Sequence, residues 1–181
     1  MRKSTARKRR ANTKAHSVQR KQRALKRDIF LTAIHEAGHA VASTVLSSGV
    51  LCAAVALERK SRHMKADGKT HPQPRPWPTR ETLETEAISA MAGTAAEECF
   101  GGRGYRTLFG NMRDRDDLSA CAKRVGLSKN ETNELINRAW ESARKLVDKH
   151  RDAIQEIASE LEKNGHIEGD VVEAIVKGSA K

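Results

Sequence analysis

Apolar residues along this chain are sparse and small, and their spacing divides it into segments. Residues 1–27 hold mostly Arg, Lys, Ser, Thr, Gln and Asn. Such a composition cannot offset its ordering entropy by burial, which predicts a tail that is disordered or only fitfully helical. From Asp28 the pattern changes. Phe30, Ile34, Ala37, Val41 and Val45 recur at helical spacing, so residues 28–48 read as an amphipathic helix with Asp28 as N-cap and Ser47-Ser48-Gly49 as its stop. The apolar run Leu51 to Leu57 has the length of a buried strand. Residues 58–78 are polar and contain all four prolines, at 72, 74, 76 and 78, which predicts a loop of polyproline character with Trp77 anchored against the body.

Helical spacing returns at residues 79–100, where Leu83, Ala87, Met91 and Ala95 form a stripe, Thr79 offers a cap, and Gly101-Gly102 is a stop. A loop from Arg103 to about Arg113 leads to a shorter helix with Leu118, Cys121, Ala122 and Val125 on one face, ended by Gly126. Ser128-Lys129-Asn130-Glu131 is a capping box. It opens a helical region running to Asn164-Gly165, with a break near 148–152, and a last helix covers about 169–177. The fold expected is mainly α with at most a small strand element. Residues 1–27 form the tail and residues 28–178 one domain.

Charge sharpens this division. The net charge is +11, yet residues 1–27 alone carry twelve Lys/Arg and no Asp or Glu, which leaves the body near −1. The clusters Arg7-Lys8-Arg9-Arg10 and Arg20-Lys21-Gln22-Arg23 suit weak, non-specific binding of nucleic acid or another acidic surface. Cys52, Cys99 and Cys121 are scattered, with no C-x-x-C, and read as buried thiols of a reducing compartment. No apolar run reaches the roughly 18 residues that span a membrane, and the basic N-terminus has no apolar signal core. The expectation is a cytoplasmic protein without a transmembrane segment.

The chemistry is concentrated in the first predicted helix. His35-Glu36-Ala37-Gly38-His39 reads H-E-x-x-H. Residues i and i+4 of a helix share a face, so both imidazoles can reach one metal ion, and Glu36 lies where its carboxylate can approach a water on that metal. This is the layout of a zinc hydrolase with two His ligands, a third ligand from elsewhere and a Glu general base. Gly38 inside a helix costs about 1 kcal/mol relative to Ala, which points to close packing there. The third ligand remains open between the run Asp114-Arg115-Asp116-Asp117 and Glu97 or Glu98. His63, His71, His150 and His166 read as surface residues.

Several blocks, in order, resemble the peptidase domain of the FtsH-type ATP-dependent zinc metalloproteases. They are His35-Glu36-Ala37-Gly38-His39-Ala40, then Ala92-Gly93-Thr94-Ala95-Ala96-Glu97-Glu98-Cys99-Phe100-Gly101, then Asp117-Leu118, and loosely Leu161 to Asp170. The resemblance covers about residues 30–176. It implies a zincin-like helical domain, a zinc ion, and metalloendopeptidase activity on unfolded or flexible protein substrates. Carried over, His35, His39 and Asp117 are the metal ligands and Glu36 the catalytic base. Asp114 is a close runner-up to Asp117, and Glu97 and Glu98 become structural or supporting residues. The family joins this domain to a membrane anchor and an ATPase. The sequence shows neither a transmembrane segment nor a G-x-x-x-x-G-K-[ST] phosphate loop, so it reads as a stand-alone or truncated relative, with a separate ATPase or unfoldase as a candidate partner. Ala53 to Leu57 is the one candidate for a substrate-binding strand. A catalytically inactive regulator or nucleic-acid-associated module, acting through the basic tail, is the competing expectation.

Overall fold

The computed structural model describes residues 2–46, 49–60, 63–74, 76–102 and 105–179, with side chains described outside 2–15, 57–64 and 105–113. Among these residues, six helices and three strands run in the order α1 (Arg2–Leu46), β1 (Val50–Lys60), β2 (His63–Pro72), α2 (Leu83–Cys99), α3 (Tyr105–Arg124), α4 (Lys129–Lys149), α5 (Arg151–Asn164), β3 (His166–Glu168) and α6 (Gly169–Gly178). The protein is thus mainly helical, with one small antiparallel sheet of order β2-β1-β3.

The C-terminal half of α1 is the centre of the body. It packs against α2, α5, β1 and β2, and Ala33, Ile34, Ala37, Ala40 and Val41 are completely buried. Small side chains let the backbones approach closely. A Cβ on Gly38 would stand 2.6 Å from the Ala92 carbonyl oxygen and 2.8 Å from the Ala96 Cβ, so the glycine in mid-helix is what allows α1 and α2 to touch. The stripe Leu83, Ala87, Met91 and Ala95 is buried as its spacing requires. The Ser128–Glu131 capping box forms in both directions. The break expected near residues 148–152 falls at His150, which ends α4 and begins α5. Gly165, at φ 72°, closes α5 in the left-handed conformation that glycine adopts without a steric penalty.

Three elements differ from the sequence expectation. The basic segment is not an irregular tail but the first half of α1, which runs unbroken through residue 28. Asp28 is therefore no N-cap, and its carboxylate instead accepts the Ala66 amide of β2 at 2.6 Å. The physical reason is cooperativity. Extending an anchored helix adds one hydrogen bond per residue fixed, whereas starting one is costly, and Ala, Lys, Arg and Gln all propagate well. Second, much of the expected polar loop is strand: β1 extends to Lys60 and pairs with β2 along its length. Main-chain bonds carry this hairpin, so β2 needs no apolar alternation to declare it. Third, the loop expected from Arg103 to Arg113 is largely helix. A single glycine, Gly110, is too weak a breaker to stop α3 from starting at Tyr105.

Trp77 meets the body through a surface contact. It is 66% exposed and lies under the Arg124 guanidinium, 4.4 Å from the ring centre. Within 16–46, α1 also holds an 18-residue stretch apolar enough to cross a membrane (mean hydropathy 1.2), of which 61% is buried inside the fold, as befits a core helix.

Candidate metal centre

Helical periodicity brings His35 and His39 onto consecutive turns of α1, where their Nε2 atoms stand 3.0 Å apart with the rings nearly perpendicular, at 79°. Each ring is fixed from behind by α2. The Nδ1 of His35 meets Glu97 Oε1 at 2.8 Å, and that of His39 meets the Ser89 carbonyl oxygen at 2.8 Å. A carbonyl can only accept, so His39 Nδ1 carries the proton and donates it. The lone pair of the neutral ring then lies on Nε2 and faces the other imidazole. Glu97 is 2% exposed and orients His35 in the same sense.

The carboxylate that joins the two rings is that of Asp114, on α3. Its Oδ2 lies 3.5 Å from His35 Nε2 and 3.6 Å from His39 Nε2. That oxygen is buried and makes no hydrogen bond by distance and angle among the described residues. Three ligand atoms, all within 4.8 Å of one another, thus face a common point and could hold a metal ion. Two nitrogen lone pairs and an anionic oxygen so placed repel one another unless a cation or a proton lies among them. The protonation equilibria register this crowding. Burial alone would lower the pKa of His35, but Asp114, then Glu97 and the charge of Glu36, outweigh it and raise it to about 10. Burial would raise the Asp114 pKa, but His35 and His39 hold that carboxyl well below the usual carboxylate range.

Asp117, the ligand that the family resemblance implies, lines the same cleft but is exposed and stands outside this group. Helix geometry accounts for the difference. Three residues turn a side chain by about 60° and carry it ~4.5 Å along the axis, so the two aspartates cannot occupy one place. Glu98 pairs with Arg144 across solvent. Of the remaining histidines, His71 lies on β2 away from the group, and His166 is exposed and meets Glu168 at 2.9 Å. His150 is buried rather than on the surface, and burial lowers its pKa. His63 falls outside the described side chains. The three cysteines are unpaired.

Glu36 is buried, 6% exposed, with Oε2 accepting a hydrogen bond of 2.8 Å from the Thr70 hydroxyl. Two glycines make room for these side chains. A Cβ on Gly68 would come within 2.5 Å of Glu36 Oε1, and one on Gly93 within 2.5 Å of His39 Nε2 and 2.8 Å of His35 Nε2. The group opens on a cleft of about 700 Å3 between β2, at Gly68 to Thr70, and α3. β2 is an outer strand of the sheet, whereas Ala53, within the segment expected to bind substrate, lies on the central strand with both edges paired. Ser89, Gly93, Gly68 and Thr70 went unnoticed as site residues in the sequence. A glycine inside a helix was the signal for Gly93; the others had none. The chain matches no family model and no curated protein.

Proposed function

We propose that this protein is a zinc metalloendopeptidase that hydrolyses peptide bonds in unfolded or flexible proteins. The observation that carries the reading is the convergence of His35, His39 and Asp114 on one point with the Glu36 carboxylate buried beside it. The donor set fits zinc: two neutral imidazoles and one carboxylate, with Nδ1 of each ring held by a hydrogen-bond acceptor. His35, His39 and Asp114 would hold the ion, with Asp114 in the place first given to Asp117. When bound, zinc supplies a Lewis acid that acidifies water and polarises the scissile carbonyl.

The chain's own residues supply the rest. Glu36 accepts the proton of the attacking water and returns it to the leaving amine. The Thr70 hydroxyl fixes one carboxylate oxygen, which keeps Glu36 aimed into the cleft. The outer strand β2 offers an edge beside the centre to which an extended peptide adds in β fashion. The resemblance to the FtsH-type peptidase domain supports the same substrate class. A partner unfoldase would then be required for folded substrates.

The test is cleavage of a denatured, casein-like protein by the zinc-loaded chain. Glu36→Gln should keep zinc and lose roughly 10²–10⁴-fold in rate. Undiminished cleavage by zinc-loaded Glu36→Gln would remove Glu36 from the mechanism, and with it the proposed activity.

A further inference from the structure

We propose that the N-terminal half of α1 is a rigid arm that binds double-stranded nucleic acid through its phosphates. Twelve Lys/Arg and no acid lie in residues 1–27, against a body near −1, so the positive charge of the whole molecule is concentrated on one helix. The side chains from His16 to Ala24 are exposed, as are Lys26 and Arg27. No ion pair among the described residues engages Arg20, Lys21, Arg23 or Lys26. The arm is held at its root, where Arg27 donates to the Gly101 carbonyl oxygen at 2.9 Å and Leu25 is half-buried. It is continuous with the helix bearing His35. At 1.5 Å per residue, Arg20 stands ~22 Å along the axis from His35, at a distance set by a helix rather than by a linker.

The shape of the charge selects the partner. At 100° per residue the basic positions of 2–27 spread over about 260° of the helix circumference. The remaining strip holds Ser4, Ala11, Ala15, Val18 and Gln22, with Leu25 at its edge. A helix that lies in a membrane surface needs a broad apolar face with residues such as Trp, Phe or Leu, and this strip is narrow, small and partly polar. Residues 1–27 contain no aromatic side chain, so bases of a single strand find no stacking platform. Charge on most of the circumference matches a groove with phosphates on both walls.

The test uses the full-length chain and a fluorescent 20-base-pair duplex of mixed sequence, with anisotropy read from ~50 to ~200 mM salt. The wild type should bind with an affinity that falls steeply with salt, with little sequence preference, and better than to the single strand. The quadruple variant Arg20→Gln, Lys21→Gln, Arg23→Gln, Lys26→Gln should weaken binding at least about tenfold and flatten the log–log salt slope by ~0.9 for each phosphate contact removed. Its helix content and metal binding should be unchanged, because these side chains touch neither the core nor the centre. Equal binding by the wild type and the variant would overturn the proposal. So would stronger binding to phosphatidylserine vesicles than to duplex, or to single strand than to duplex.

Discussion

The two halves of α1 share one helical backbone and almost nothing else. From Asp28 to Leu46 the helix is largely buried in the body, and its charged or polar groups are few and individually held: Asp28 by Ala66, His35 by Glu97, Glu36 by Thr70, His39 by Ser89. From residue 16 to residue 27 the same helix is exposed and basic, and its stability comes from propagation rather than packing. The difference shows that a helix can be specified in two ways. In one half, neighbours dictate each residue, down to the absence of a Cβ at position 38. In the other, only propensity and charge are specified, and individual residues are exchangeable.

That contrast predicts a steep gradient of mutational effect along one helix. The largest effect belongs to the ligands. His35→Ala or His39→Ala should abolish stoichiometric zinc binding, since too few protein ligands remain for a stable site; zinc retained by both, measured by elemental analysis, would break the comparison at its strongest point. Next is the residue behind the ligand. Glu97→Gln removes the charge that orients His35 and should weaken zinc roughly 10–100-fold, read by competition with a chelating dye. Gly38→Ala comes third. The added methyl meets the Ala92 carbonyl, so about 1–3 kcal/mol of stability should be lost, measured from the denaturant midpoint. The smallest effect lies on the arm: Arg20→Gln or Lys26→Gln should change stability by less than ~0.5 kcal/mol.

The metal-free centre also predicts a pH dependence. The His35 pKa rises from 6.5 to about 10 on folding, so the folded state holds its proton more tightly than the unfolded chain. The stability this contributes is complete below pH 6.5 and is lost as pH rises toward 10. The melting temperature of chelator-treated protein should therefore fall across that window, and the fall should shrink in Asp114→Asn. Zinc affinity should move the opposite way and strengthen with pH, because binding displaces the proton. A melting temperature that rises between pH 6.5 and 10 would contradict the account.

What the sequence disclosed follows the same physical division. The apolar stripes of α1 and α2, the capping box of α4 and the motif pair His35 and His39 were legible because they depend on local spacing. β2 was not, because its strand is held by main-chain bonds to β1 and its residues face a polar cleft. The helical state of residues 2–27 was hidden by reasoning from burial alone, when propagation from an anchored helix suffices. The choice between Asp114 and Asp117 could not be made from spacing either. It depends on the rotation of α3 about its axis, and a three-residue offset is the difference between facing the imidazoles and facing solvent.

The most direct test of the centre is zinc content per chain in the wild type, Asp114→Asn and Asp117→Asn, after identical loading and desalting. The geometry predicts about one zinc per chain in the wild type and in Asp117→Asn, and loss of zinc in Asp114→Asn. Zinc lost from Asp117→Asn but kept by Asp114→Asn, or absent from the fully loaded wild type, would contradict it.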